Sequence, residues 1–172
     1  MEQDLSHFRS SKLWRRMPLE QRIVAAALFW ADEQSADQQL EAVGSIATQM
    51  KFRPRSVLSL ADDRKARYLA SLPNLPDSVA ARALVSYHLA LHRPMMGAFL
   101  DLLGIPHENG LIAEDTVPKP DPSKLKQAVS DLAGKYPAAD VALYLATLVS
   151  QDPDTWEGLA ELPEVQPVPS SA

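Results

Sequence analysis

The sequence predicts an all-α protein of eight or nine helices, packed as a bundle or as a short stack of helical hairpins. Apolar residues recur every three or four positions, which is the period of an amphipathic helix and not of a strand. Alanine and leucine are abundant and runs of β-branched residues are missing. Several prolines also stand where a helix would begin. We therefore expect no multi-stranded β-sheet in the core.

The first two helices are separated by a proline. The first covers about residues 4–16 and ends before Pro18, because the residue before a proline is disfavoured in helical angles. Pro18 suits the first position of the second helix, which runs to about Ala31. The stretch 23–30 is apolar nearly all round, so this helix should lie in the interior.

The next two helices are marked by polar residues in their first turns. Ser35 and Gln38 form a capping-box pattern that opens a third helix, ending near Lys51. A fourth helix, over 62–72, starts with two aspartates, which suit the positive end of the helix dipole. The buried stripe predicted for the third helix consists of Leu40, Val43, Ile46, Ala47 and Met50.

The fifth helix, from Pro76 to His92, carries only a narrow polar strip and should be the most buried. Pro94 removes a backbone donor and breaks or kinks it. A short apolar segment follows and ends at Gly104, which suits a left-handed cap. Its inward residues are Met95, Met96, Phe99, Leu100 and Leu103.

The remainder of the chain combines a loop, three helices and a tail. Asn109 and Gly110 favour a tight turn and a small hairpin near 105–112. Two Asp-Pro pairs and Pro137 mark helix starts, because a capping residue or a first-turn proline suits that position. The predicted helices cover about 122–135, 137–149 and 153–162. Residues 163–172 are rich in proline and predict a disordered tail.

Composition assigns residues 1–162 to a single domain. The chain has 172 residues, of which 46% are hydrophobic and 23% charged, and it has no cysteine. A disulfide scaffold and a thiolate metal site are therefore excluded. The longest uncharged apolar run, 23–31, is far shorter than the ~20 residues of a membrane span, so we expect a cytoplasmic protein without a membrane anchor.

A three-fold helical repeat is one reading of the proline spacing. An apolar residue followed by proline precedes a helix at Pro18, Pro76 and Pro137, which gives repeats over 4–52, 61–103 and 122–162. The alternative is that such junctions are common in α proteins, since the three segments share almost no residue identity.

The histidines are the first candidates for chemistry. His88 and His92 lie one helical turn apart, and His107 and Glu108 in the following loop could complete a metal site. The segment lacks the glutamate of H-E-x-x-H, so a zincin is excluded. Capping and ordinary hydrogen bonds explain the pair more simply. A small metal- or ligand-binding enzyme is thus an alternative function.

The basic residues are the second candidates. Charge is uneven, since residues 1–100 hold 13 Lys/Arg and 10 Asp/Glu whereas 101–172 hold 4 and 12. Eleven of the 17 cations fall in the windows 9–22 and 51–67. A shared face would attract phosphates and offer Trp14, Phe52 and Tyr68 for stacking. The candidate contacts are Arg15, Arg16, Arg53, Arg55, Arg64 and Arg67.

Two observations oppose a nucleic-acid function. The sequence pI is about 5.3, and no recognisable nucleic-acid-binding motif occurs. Solvated helix faces account for most runs of charge. We therefore rank a nucleic-acid or polyanion binder as an alternative.

The Met-rich segment after Pro94 is the third candidate. Met95, Met96, Phe99 and Leu100 could form an adaptable groove for a partner helix, although packing in the core is the commoner fate of such a stripe. No phosphate-binding glycine loop or nucleophile elbow occurs, so no catalytic residue or cofactor is predicted. The sequence favours a non-enzymatic interaction or regulatory module that binds a partner protein or a second copy of itself.

Overall fold

The computed structural model describes residues 5–113 and 117–165, and this part of the protein is mainly helical. Ten α-helices and one two-stranded hairpin occur there, so the all-α prediction is confirmed. The chain divides into two compact units. We call Arg9–Ala90 the N-terminal unit, and Met1–Phe8 together with Leu91–Ala172 the C-terminal unit.

The N-terminal unit is built around two helices in extensive contact, α2 and α5. Each contributes a row of small residues and one large apolar side chain, which lets the helices approach closely; Phe29 and Leu69 are fully buried. The helices of this unit are α1 (Ser10–Arg16), α2 (Leu19–Ala31), α3 (Ala36–Met50), α4 (Pro54–Leu58), α5 (Asp62–Ser71) and α6 (Asp77–Leu91, whose last residue belongs to the other unit).

The first predicted helix is interrupted. A 3₁₀ turn at Ser6–Phe8 precedes α1, and Arg9 between them is extended, with ψ 140°. The reason is a cap supplied from far along the chain: the Asp77 carboxylate accepts the Ser11 N–H at 3.0 Å and the Arg9 guanidinium at 2.6 Å. A first-turn donor of α1 is thereby satisfied by tertiary structure and not by its own sequence.

The predicted capping box at α3 is wrong. The Ser35 hydroxyl donates to the carbonyls of Phe29 and Asp32, so it caps no N–H of α3. The Gln39 amide donates to the same turn, including the Asp32 carbonyl at 3.0 Å. Gln39 thus takes the inward position at the start of the helix, and Leu40 is left 68% exposed.

Two further expectations on burial differ from the structure. Met50, at the end of the stripe predicted for α3, is 40% exposed, while Val43, Ile46 and Ala47 are buried as predicted. The α2 helix is not interior all round, since Val24 is 47% exposed. Its partner α5 covers one face only, so an apolar circumference does not by itself bury a helix.

The C-terminal unit packs three aromatic residues at its centre. The Phe99 ring lies 6.0 Å from Tyr144 and 5.9 Å from Trp156, between centroids. Burial raises the pKa of Tyr144 well above its ordinary value. The elements are the Ser6–Phe8 turn, α7 (Arg93–Leu102), β1 (His107–Glu108), β2 (Leu111–Ile112), α8 (Pro122–Ala133), α9 (Ala138–Gln151) and α10 (Pro153–Ala160).

The predicted break, cap and hairpin are present. Helix α6 ends at Leu91, and α7 restarts with Pro94 in its first turn. Gly104 is left-handed, with φ 69°. The hairpin pairs His107 with Ile112, and its turn residues Asn109 and Gly110 both have positive φ, as a tight turn of this type requires.

The ends of the chain are described only in part. Val165 is buried, so the first residues of the predicted tail join the fold, while 166–172 lie outside the described residues. The three-fold repeat stays a prediction; the boundary between the two units, after Ala90, falls inside its second segment. In the described ranges, no helix has the length and apolar character needed to cross a bilayer.

Candidate anion-binding surface

All six arginines predicted to contact phosphate are exposed. A seventh cation, Lys51, is exposed between them. In the described part of the chain, none of these side chains forms an ion pair with a carboxylate. We call them the basic surface, defined as Arg15, Arg16, Lys51, Arg53, Arg55, Arg64 and Arg67.

The centre of the basic surface is the junction between α3 and α4. Every residue from 50 to 56 is exposed. Lys51 ends α3 in the left-handed region, with φ 59°, and the Phe52 N–H closes the turn on the Ala47 carbonyl at 2.9 Å. Arg53 is extended and precedes Pro54, the first residue of α4. Backbone geometry therefore projects Lys51, Phe52 and Arg53 into solvent.

An aromatic pair joins this junction to α5. The Phe52 and Tyr68 rings meet edge to face, with centroids 5.4 Å apart and planes at 84°. Arg64 lies one helical turn before Tyr68 on α5, and Arg67 directly precedes it. The contact therefore brings the cations of the junction and of α5 to neighbouring positions.

A loop between α5 and α6 joins the first basic window to the second. The Arg15 guanidinium donates to the Pro73 carbonyl at 2.5 Å. The Gln49 amide donates to the Asn74 carbonyl at 2.6 Å, and the Asn74 N–H donates back to Gln49 Oε1 at 3.3 Å. Gln49 is two residues before Lys51, so the end of α1 and the end of α3 meet at the same short loop.

Two other cations of these windows, Arg9 and Lys65, have structural partners. Arg9 pairs with Asp77, and hydrogen bonds from Ser11 and Arg9 hold the pKa of Asp77 below its ordinary value. Lys65 lies over the Trp30 ring at 5.1 Å and 3.4 Å from Asp62. Arg9 and Lys65 therefore have carboxylate partners, which the members of the basic surface lack in the described residues.

The charge of the two units differs in sign. The N-terminal unit holds twelve Lys/Arg and eight Asp/Glu, a net charge of +4. The C-terminal unit holds five and fourteen, a net charge of −9. The acidic pI of the whole chain therefore conceals a basic unit, which removes one of the two objections to polyanion binding.

The candidate metal ligands have other partners or positions. His88 is buried, with 1% exposure, and Glu108 is exposed. His92 lies 3.7 Å from Asp140; burial lowers the pKa of His92, and this carboxylate opposes the shift. His107 faces Asp101 through Nε2 at 2.7 Å and accepts the Gly110 N–H at Nδ1. Among the described residues, no group of three or more His, Asp or Glu could hold a metal ion.

The Met-rich segment does not form an open groove in the structure. Met95, Met96, Phe99 and Leu100 are all buried in the C-terminal unit. Phe99 belongs to the aromatic core with Tyr144 and Trp156. The break at Pro94 redirects the chain without opening a cleft at these side chains, so the four residues stabilise the core and offer no surface.

Sequence reasoning missed helix α4 and the exposed α3–α4 junction. The only buried residue of α4 is Val57, so the segment has almost no apolar periodicity to signal a helix. The Arg53-Pro54 pair is the signal that was present, because proline suits the first turn.

No known protein-family model matches the chain, and no match is found among curated proteins or among solved structures.

Proposed function

We propose that this protein binds polyanions, and that its N-terminal unit contacts the phosphate groups of nucleic acid through the basic surface. The observation that supports this most directly is the convergence of two separate basic windows at the loop carrying Pro73 and Asn74. Such a role is compatible with the cytoplasmic location expected from the sequence.

The chemistry of the basic surface suits phosphate. Six of its seven members are arginines, whose planar guanidinium donates two parallel hydrogen bonds to a phosphate and is always charged. Because these groups have no carboxylate partner in the described residues, binding breaks no ion pair. Each contact releases a condensed counterion, which makes such binding favourable at low salt and weak at high salt.

The test is a titration of a fluorescently labelled duplex with the full chain at ~50 mM salt. We expect R53A/R55A to weaken binding about tenfold, because two phosphate contacts are lost. The matched control is K124A/K126A, which removes two exposed lysines of α8 in the C-terminal unit. No binding of either a duplex or a single strand by the wild type, or equal loss in both variants, would contradict the proposal.

Protein binding is a second candidate, supported by large apolar side chains on the surface of the N-terminal unit. Leu40 is 68% exposed, Leu58 55% and Val24 47%, and contiguous exposed apolar patches mark sites where proteins associate. Self-association is the form that the chain alone can test. Light scattering should then show a dimer that L40E reduces to a monomer, whereas a wild-type monomer at all concentrations would exclude it.

A further inference from the structure

Apolar side chains are interspersed with the cations of the α3–α4 junction. Phe52 is 36% exposed and Leu58 is 55% exposed, and Met50 is exposed as well. A surface that bound only the phosphates of a duplex would gain nothing from these groups. Their presence among Lys51, Arg53 and Arg55 favours a ligand that has both phosphate groups and exposed flat, apolar rings.

The aromatic pair is suited to stacking. In an edge-to-face pair, the edge of one ring covers one face of the other ring. The remaining faces of the Phe52 and Tyr68 rings are therefore not covered by the pair itself. Every nucleobase has a π-face that can stack on such a ring, without any need for sequence-specific hydrogen bonds. Phe52 is also flanked on both sides by cations, which can contact the phosphates on either side of a stacked base.

Double-stranded and single-stranded nucleic acids differ in whether their base faces can reach the α3–α4 junction. In a duplex the bases stack on one another and their faces are closed, whereas a single strand can splay its bases onto a protein ring. An anionic lipid surface would also attract cations interspersed with apolar groups. However, α4 has only five residues, little more than one turn, so it cannot present the continuous apolar face by which an amphipathic helix lies in a membrane interface.

We infer that the ligand of the basic surface is a single-stranded nucleic acid, with a base stacked on Phe52 and the flanking phosphates held by Lys51 and Arg53. This inference rests on the proposed polyanion binding and adds the class of ligand. Arg64 and Arg67 on α5 extend the phosphate contacts beyond the aromatic pair.

The experiment compares an oligothymidylate of about 16 nucleotides with a duplex of the same length, at ~50 mM salt. The wild type should bind the single strand more tightly. F52L keeps an apolar side chain and removes the ring, and we expect it to weaken single-strand binding about tenfold while leaving duplex binding unchanged. The control L111A truncates an exposed apolar residue of the hairpin and should change neither. Unchanged thermal midpoints would show that both variants fold.

The outcomes separate this inference from the proposed function. If R53A/R55A weakens binding but F52L does not, or if the duplex binds at least as tightly as the single strand, the stacking inference is overturned and polyanion binding stands. If the wild type binds neither oligonucleotide, both fail. Binding to vesicles of anionic lipid without binding to oligonucleotide would overturn the inference in favour of a membrane surface.

Discussion

The two compact units are similar in length and both helical, but they use their charged residues differently. The N-terminal unit has a net charge of +4 and leaves eight exposed cations, Lys12 and the seven of the basic surface, without a carboxylate partner in the described residues. The C-terminal unit has a net charge of −9. There Arg93 donates to the Asn109 carbonyl and Lys119 pairs with Glu157, which leaves three exposed lysines, Lys124, Lys126 and Lys135, without such a partner in the described residues. The difference teaches that two helical units of similar length can carry opposite net charges, so the proposed function depends on the surface of one unit and not on the helical fold.

The units also differ in how they hold their polar groups. In the N-terminal unit the half-buried Asp32 carboxylate accepts hydrogen bonds from Arg82 and Ser86, both at 2.7 Å. In the C-terminal unit the hairpin is held on α7 by His107, whose ring packs over Gly97. Each unit therefore contains a contact of a polar side chain that a single substitution can test, the Asp32–Arg82 ion pair in the N-terminal unit and the His107 contact with Gly97 in the C-terminal unit.

The largest effect should come from reversing the charge of the N-terminal unit. The variant R53E/R55E/R64E/R67E changes the net charge of this unit from +4 to −4, so that both units are negatively charged. Because like charges repel phosphate, we expect affinity for any nucleic acid to fall by at least about 100-fold. Anisotropy titration measures this. Retained binding would show that the contrast between the units has no functional meaning.

Removal of the Asp32 carboxylate should be the largest stability effect. D32A leaves the half-buried Arg82 guanidinium without its partner, and we expect a loss of about 2 kcal/mol in the free energy of unfolding. Urea denaturation measures it, with E161A, an exposed carboxylate, as the control. Equal effects of the two substitutions would show that the ion pair is unimportant.

The same carboxylate predicts an acid response. Burial raises the pKa of Asp32, but hydrogen bonds from Arg82, Ser86 and the Gln34 N–H outweigh it and hold the pKa below its ordinary value. Its contribution to stability is therefore present above about pH 4 and lost as the pH falls through the folded pKa. D32A should lose less stability than the wild type over that acid range.

Two helical glycines give a smaller and opposite pair of effects. A Cβ at Gly44 of α3 meets nothing within 4 Å, so G44A should stabilise by about 1 kcal/mol through helix propensity. A Cβ at Gly97 of α7 would lie 3.1 Å from the His107 ring, so G97A should destabilise by about 1 kcal/mol. Thermal denaturation compares them. If both substitutions stabilised the protein, the His107 ring of the hairpin would not be in close contact with Gly97 of α7.

The smallest effect concerns His92 in the C-terminal unit. Burial lowers the pKa of His92, although Asp140 opposes the shift. As the pH falls, the unfolded chain therefore takes up a proton at His92 before the folded chain does. The stability that the neutral His92 ring contributes is fully present above about pH 6.5 and is lost as the pH falls from there to the folded pKa. Unfolding free energies at pH 7.5 and 5.5 should differ less in H92N than in the wild type. An unchanged difference would contradict this.

Local signals predicted the fold better than they predicted the surface. Proline, the Asn109-Gly110 turn and helical periodicity act over a few residues, and they placed most elements. The cap of α1 by Asp77 and the link between Gln49 and Asn74 join distant segments, so no local pattern could show them. The sequence identified the candidate arginines by residue type and spacing. It could not show that the two basic windows converge, because their convergence depends on those tertiary contacts.

The salt dependence of single-strand binding tests the central claim most directly. With the seven cations of the basic surface as phosphate contacts, the slope of log K against log salt should be about −5 for the wild type. It should be shallower by about 1.4 in R53A/R55A and unchanged in K124A/K126A. A flat dependence, or the same slope in all three proteins, would contradict phosphate binding by the basic surface.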